Sequence, residues 1–412
     1  MALYHQTVDF LSDSWANRQT QLPLLAVTGA SFTLGLLLRS LLSREPEKSA
    51  NSILPSPRTK IVAGLSEEEN RQLPLPNDVL PGARDVDSPY GTIRVYEWGR
   101  EDGPKVLMVH GITTPCIALG GLAHALVDRG CRVIVFDLFG RGFSDTPSDL
   151  PQDMRLYTTQ IMLALTSSTV SWTGADSGKF SLVGYSLGGG IAAAFASYFP
   201  NLLSSLVLLA PAGMLHDSHV GFQARLLYST NLIPDNVLEY FVGKRLRAGP
   251  LIAAKPKPKN EKLHMTDALT EEVPTEVTAE AEVLSREYPH LNVPSAIVWQ
   301  VENHSGFVHA FMSTMRNGPI FRKTQWKNWA RLGDYLSAQN SDPSSSLEKQ
   351  GLPSHKVHIL CGNSDAVIMK DDLVTDATAA LGGNAVFKFY DAGHEFPSTK
   401  YEEVASYIWK LL

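Results

Sequence analysis

The chain has 412 residues, 44 % hydrophobic and 19 % charged, which is the composition of a globular protein with an ample core and excludes a largely disordered one. Its formal net charge of −6 gives no basis for a nucleic-acid partner, which would call for a basic surface. Three cysteines, Cys116, Cys131 and Cys361, have neither disulfide nor metal-ligand spacing; Cys131 and Cys361 fall in strand-like runs and read as buried thiols, in keeping with a reducing compartment.

Residues 19–38 are uncharged and mainly apolar, and about 20 such residues suffice for a helix to cross a bilayer. Region 1–42 is therefore expected to hold a single-pass membrane anchor. The competing reading is a buried amphipathic helix, since Gln19, Thr20, Gln21, Thr28, Ser31 and Thr33 dilute the segment. A cleaved signal peptide fits less well, because Asp9 and Asp13 precede the segment and no convincing small-residue cleavage site follows it. Arg39, Arg44, Lys48, Arg58 and Lys60 follow the segment and only Arg18 lies close before it, so the positive-inside bias puts the rest of the chain in the cytosol. Residues 43–80, with frequent Ser, Pro, Glu and Asn and weak apolar periodicity, read as a linker.

The first part of an α/β core is expected over 81–213. Residues 91–98 read as a strand, and the polar turn 99–104 joins it in hairpin fashion to a strand at Val106 that ends in His110-Gly111. A helix over 120–129 and a strand over 131–137 complete a strand-helix-strand unit with a parallel crossover. Lys179-Phe180-Ser181-Leu182-Val183 reads as a buried strand, 189–198 as a helix packed closely on a sheet, and 204–209 as another continuous apolar strand. Residues 214–354 break this rhythm and read as an inserted helical cap. Its helices are expected at 233–247, 295–315 and 325–336, with solvated loops at 254–282 and 341–354. Phe307, Phe311, Met312 and Met315 share one helical face, either lining a pocket or packing on the core. The last part of the core, 355–412, supplies strands at 356–362 and 385–390.

Gly184-Tyr185-Ser186-Leu187-Gly188 lies between a strand and a helix. A serine on so sharp a turn needs small neighbours, which lets strained backbone hold the hydroxyl out as a nucleophile. Two later strands empty into candidate partners: 356–362 into Asn363-Ser364-Asp365, and 385–390 into Asp391-Ala392-Gly393-His394. Both lie at carboxyl ends of strands, where open α/β sheets place their sites. A hydroxyl is a poor nucleophile until a base takes its proton. Neutral imidazole can do so near pH 7, and a carboxylate stabilises the imidazolium and fixes its tautomer. Ser186 is thus the expected nucleophile, His394 the base and then acid, and Asp365 the group that orients His394. The backbone N–H groups of Ile112, after the strand ending in His110-Gly111, and of Leu187 are the expected oxyanion donors. His110 reads as a structural residue tying that loop down.

These motifs, with the stretch Phe136-Asp137-Leu138-Phe139-Gly140-Arg141-Gly142-Phe143-Ser144-Asp145, resemble the serine α/β-hydrolase superfamily in its lipase, esterase and epoxide-hydrolase-like branch, over roughly residues 88–412. Ser186 stands where epoxide hydrolases and haloalkane dehalogenases carry Asp, which sets those enzymes apart. The resemblance implies an α/β-hydrolase fold: a mostly parallel central sheet flanked by helices, with an inserted helical cap. It also implies that residues 137–145 only shape a turn. The implied activity is cleavage of a carboxylic ester, with a lipid ester such as a monoacylglycerol as the expected substrate class, and with no metal or organic cofactor. The same triad would also serve a thioester, an amide or a carbon–carbon bond, and a non-catalytic scaffold of this fold is the reading from a different class.

Overall fold

The computed structural model describes residues 33, 52–174, 178–219, 235–247, 283–341 and 351–412. The anchor expected at 19–38 lies, Thr33 apart, outside them, as does the loop expected at 254–282. Among the described residues, no helix is long and apolar enough to cross a membrane.

The strands in chain order are β1 (Ile53–Leu54), β2 (Ala83–Val86), β3 (Ile93–Gly99), β4 (Lys105–Val109), β5 (Arg132–Phe136), β6 (Thr146–Pro147), β7 (Phe180–Tyr185), β8 (Leu203–Leu209), β9 (Val357–Gly362) and β10 (Ala385–Tyr390). Eight of them form one sheet in the order β10-β9-β8-β7-β4-β5-β3-β2. The sheet is parallel from β10 to β5, and β3 and β2 extend it with antiparallel pairs. β7 and β9 are buried along their whole length, as expected for central strands covered on both faces, which read as continuous apolar runs.

Helices α1 (Gly120–Asp128), α2 (Met154–Thr166), α3 (Leu187–Tyr198), α4 (Asp235–Arg247), α5 (Val293–Asn303), α6 (Phe307–Asn317), α7 (Arg322–Ser341), α8 (Lys370–Ala380) and α9 (Tyr401–Trp409) complete the main elements. The crossover from β4 to β5 runs one way along the sheet; those from β5 to β7, β8, β9 and β10 run the other way. With right-handed crossovers, that reversal puts α1 on one face and α2, α3, α7 and α8 on the other. Accordingly α1 packs on α9, whereas α3 packs on α2 and α7, and α7 on α8. The order reverses between β4 and β7, and the crevice at the carboxyl ends of these two strands is where such a sheet binds its ligand.

Four expectations are corrected. Residues 52–80 are not a linker: β1 pairs with β6, Glu67–Arg71 forms a helix opened by a Ser66–Glu69 capping box, and Leu75, Val79 and Leu80 are core residues. Their periodicity is weak because the segment buries isolated side chains rather than one face; the compact unit runs Ser52–Leu412. The turn at 99–104 does not close a hairpin, since β5 lies between β3 and β4 and pairs with both. The helix expected over 295–315 is two, α5 and α6, broken at His304, where the backbone is extended and the ring is held by Ser144 O and Gly306 N–H. Finally α7, expected in the cap, belongs to the core: Trp329, Leu332 and Leu336 are buried and the helix lies along α3. The described cap helices are therefore α4, α5 and α6.

Candidate active site

β7 ends at Tyr185, and α3 begins at Leu187. The single residue between them, Ser186, takes φ 54° and ψ −117°, outside the regions open to ordinary side chains, at a cost of roughly 1–3 kcal/mol. Close packing on both sides sustains this. A Cβ on Gly184 would stand 2.2 Å from Gly188 O, and one on Gly188 would stand 2.1 Å from Val109 O and 2.7 Å from His110 O. The two glycines thus let the first turn of α3 press onto the end of β4. Ser186 N–H donates to Leu209 O at 2.9 Å, and Ala212 N–H donates to Ser186 O at 2.9 Å, which ties the turn to the end of β8.

Asp365 and His394 are brought together by their strands. β9 and β10 are parallel neighbours, and the pairing continues past their ends: Asn363 N–H donates to Tyr390 O and Ser364 N–H to Ala392 O. His394 Nδ1 lies 2.8 Å from Asp365 Oδ2, with both side chains 1 % exposed. His394 Nε2 lies 3.0 Å from Ser186 Oγ, although the two residues are 208 positions apart. Asp365 Oδ1 accepts from Val367 N–H at 2.9 Å and Ile368 N–H at 2.8 Å, so the carboxylate is held from behind. A carboxylate can only accept. The proton on His394 therefore sits on Nδ1, which leaves the Nε2 lone pair facing the Ser186 hydroxyl. The Tyr185 ring packs against the imidazole, their centroids 5.3 Å apart.

The three side chains expected to act together are thus in one hydrogen-bonded line. Of the expected oxyanion donors, Leu187 directly follows Ser186 and Ile112 lies on the loop that follows β4, the strand next to β7. Leu187 is the first residue of α3, so its N–H has no intrahelical acceptor and carries the positive end of the helix dipole. Ile112 follows β4, whose Val109 is in register with Gly184 of β7. His110 is fully buried between backbone groups, its Nε2 accepting from Leu138 N–H at 2.8 Å and its Nδ1 donating to Gly111 O at 2.9 Å. Burial, reinforced by the Arg141 guanidinium, lowers its pKa to about 3, so it stays neutral and structural.

Asp137 is likewise structural: its carboxylate accepts from the backbone N–H of Cys116 at 2.9 Å and of Phe143 at 3.0 Å, and burial raises its pKa. Phe307, Phe311, Met312 and Met315 are all buried in the core cluster; Met312 also borders a cavity of about 190 Å³ beside α4. Among the described residues, no group of three or more His, Cys, Asp or Glu side chains is arranged to hold a metal ion.

A model of the alpha/beta hydrolase fold matches residues 104–401, which takes in the serine turn, Asp365 and His394. The chain belongs to the alpha/beta hydrolase family. Curated relatives align over shorter stretches. An uncharacterised protein of Mycobacterium tuberculosis is 30 % identical over 38 % of this chain and 43 % of its own length. A serine hydrolase-like protein of Dictyostelium discoideum is 28 % identical over 34 % of this chain and 38 % of its own. A human serine hydrolase-like protein is 27 % identical over 29 % and 56 %. The alignments therefore span about half or less of these relatives. Among solved structures, bromoperoxidase from Bacillus anthracis is similar with a TM-score of 0.51 at 15 % identity, covering 80 % of this chain and 99 % of its own. A hydrolase from Pseudomonas aeruginosa is similar with a TM-score of 0.50 at 14 % identity, covering 80 % and 97 %. At that identity the likeness is one of fold.

Two residues that sequence reasoning left aside stand at the site. Arg141 and Gln300 are both fully buried and reach the loop that carries Ile112. Arg141 belongs to the 137–145 turn motif, whose pattern by itself points to no role beyond the turn. Gln300 is one polar residue in an amphipathic cap helix, with no local signal to single it out.

Proposed function

We propose that this hydrolase is a serine hydrolase acting on carboxylic esters through an acyl-enzyme on Ser186. The observation that carries the reading is the buried line from Asp365 through His394 to Ser186, with contacts of 2.8 and 3.0 Å. Ser186 Oγ attacks the ester carbonyl as His394 Nε2 takes its proton, and Asp365 stabilises the imidazolium. The negative charge passes to the carbonyl oxygen, which the N–H groups of Ile112 and Leu187 receive. Collapse expels the alcohol, protonated by His394. Water then attacks the acyl carbon, gives its proton to the same nitrogen, and releases the acid and the serine. The serine hydrolase-like names of the relatives support this reading.

Within it, a lipid ester such as a monoacylglycerol is the proposed substrate, with 19–38 as a single-pass anchor and the hydrolase unit on the cytosolic side; the uncharged apolar run and the basic residues after it support that. Rates on matched ester, thioester and amide substrates test the chemistry. The ester should be turned over fastest, and Ser186→Ala should abolish turnover; undiminished activity in that variant would end the proposal. For the anchor, alkaline extraction of membranes should leave the full chain in the pellet and release a chain lacking 19–38. Release of both would remove the membrane part alone.

A further inference from the structure

Three consecutive carbonyls of the loop after β4 are each gripped by a fully buried side chain. His110 Nδ1 donates to Gly111 O at 2.9 Å, Arg141 Nε donates to Ile112 O at 3.0 Å, and Gln300 Nε2 donates to Thr113 O. A trans peptide is planar, with its C=O and N–H pointing opposite ways. Holding Gly111 O therefore aims the Ile112 N–H, which belongs to the same plane. Holding the next two carbonyls fixes the planes that follow, so the Ile112 N–H cannot turn without breaking a buried hydrogen bond.

The grips are themselves braced. Gln300 Oε1 accepts from Gly142 N–H at 3.0 Å, so the amide is pinned at both ends and its donor end faces Thr113. Arg141 also donates through Nη1 to Phe139 O at 2.9 Å and Tyr157 Oη at 3.4 Å, and through Nη2 to Thr314 Oγ1 at 2.9 Å. Among the described residues it pairs with no carboxylate. Burying a guanidinium without a counter-ion costs several kcal/mol, by order of magnitude. Such an arrangement is a costly way to pack a turn, but an effective way to supply several donors in a rigid planar fork. Gln300 lies on α5 and Thr314 on α6, so one of the grips and one of the braces come from the cap.

Resting on the serine-hydrolase reading above, we infer that Gln300 and Arg141 are positioning residues of the oxyanion hole: His110 sets the plane of the Ile112 N–H through Gly111 O, and Arg141 and Gln300, through Ile112 O and Thr113 O, lock the two planes that follow so that this one cannot rotate, which makes the hole depend on the seating of α5 and α6. The cap then governs kcat as well as access. Neither residue touches substrate in this scheme.

The test is Gln300→Leu and Arg141→Met, with Thr314→Val as a milder variant that removes one acceptor of Arg141. Rates are expressed per active site titrated with a fluorophosphonate. Deleting an oxyanion donor lowers kcat by ~10²–10³-fold, and misaiming one should cost Gln300→Leu and Arg141→Met about 10–100-fold. KM should stay within about two-fold of the wild type. Affinity for a trifluoromethyl ketone, whose tetrahedral adduct places an oxyanion in the hole, should fall by the same factor as kcat. A residue with only a structural role would lower the titratable fraction, leaving kcat per site and inhibitor affinity unchanged; that result, or a change confined to KM, overturns the inference. Thr314→Val keeps the question open to decision if the larger changes prevent folding: kcat and inhibitor affinity should fall together by a few-fold, and no change in either refutes the coupling to the cap. Failure of wild-type protein to react with the fluorophosphonate, with full activity in Ser186→Ala, would remove the serine-hydrolase reading and this inference with it. Normal labelling with unaffected variants would remove this inference alone.

Discussion

Asp365→Asn isolates what the carboxylate does, because the structure dictates how the amide must sit. Oδ1 receives two backbone N–H groups, from Val367 and Ile368, while Oδ2 faces His394 Nδ1. An asparagine that keeps its carbonyl toward the two N–H donors turns its NH2 to His394. Nδ1 must then accept, the proton moves to Nε2, and Nε2 can no longer take the proton of Ser186. The flipped amide preserves the productive tautomer but sets NH2 against two buried N–H groups, at ~1–3 kcal/mol each. The competent form is therefore disfavoured by about 2–6 kcal/mol, and at about 1.4 kcal/mol per decade kcat should fall by about 30- to 20,000-fold. Shape and volume are conserved, so KM for a 4-nitrophenyl ester and the thermal midpoint should move little. Steady-state kinetics on folded protein, with circular dichroism as the control, measures this. A loss of kcat below about ten-fold would refute the tautomer argument.

Other outcomes follow from the same geometry. Gly188→Ala sets a Cβ 2.1 Å from Val109 O, which should destabilise the protein by about 3 kcal/mol in urea unfolding and abolish labelling of Ser186 even in the folded fraction. Asp145→Ala frees the buried N–H groups of Ser56 and Thr92, both held by its carboxylate. It should cost about 2–4 kcal/mol in the same assay and expose the segment around Ser56 to limited proteolysis. Burial lowers the pKa of His110 to about 3 and of His304 to about 4, both below the ordinary value that the unfolded chain recovers. The unfolded state therefore binds more protons below about pH 6.5. This contribution to stability is complete above that pH and is lost as pH falls towards 4, by up to ~1.4 kcal/mol per pH unit for each histidine. Urea midpoints between pH 7 and 4.5 should show the decline, and His304→Gln, which can still bond Ser144 O and Gly306 N–H, should reduce its slope by about one histidine's share.

Much of the fold was legible because the strands that matter announce themselves twice, by an apolar run and by a residue with chemistry at its end. β7 ends in Ser186, β9 leads to Asp365 and β10 to His394, and a parallel sheet puts those ends side by side. The pairing order was less legible. β3 and β4 are adjacent in sequence and apolar, but nothing in either run tells that β5 lies between them. β2, reading Ala83-Arg84-Asp85-Val86, has too little apolar content to be seen apart from its partner β3. α7 and the cap helices carry the same helical periodicity; only the partner each face meets separates core from cap, and that partner is remote in sequence. Arg141 and Gln300 were hidden for the same reason, since what makes them matter is a carbonyl supplied by residues 112 and 113.

The most direct test of the central claim is to treat the folded protein with a fluorophosphonate and locate the adduct by peptide mass spectrometry. A single phosphonyl group on Ser186, formed far more slowly in His394→Ala, is the expected result. No adduct on Ser186, or modification at another serine with hydrolysis intact in Ser186→Ala, would contradict the account.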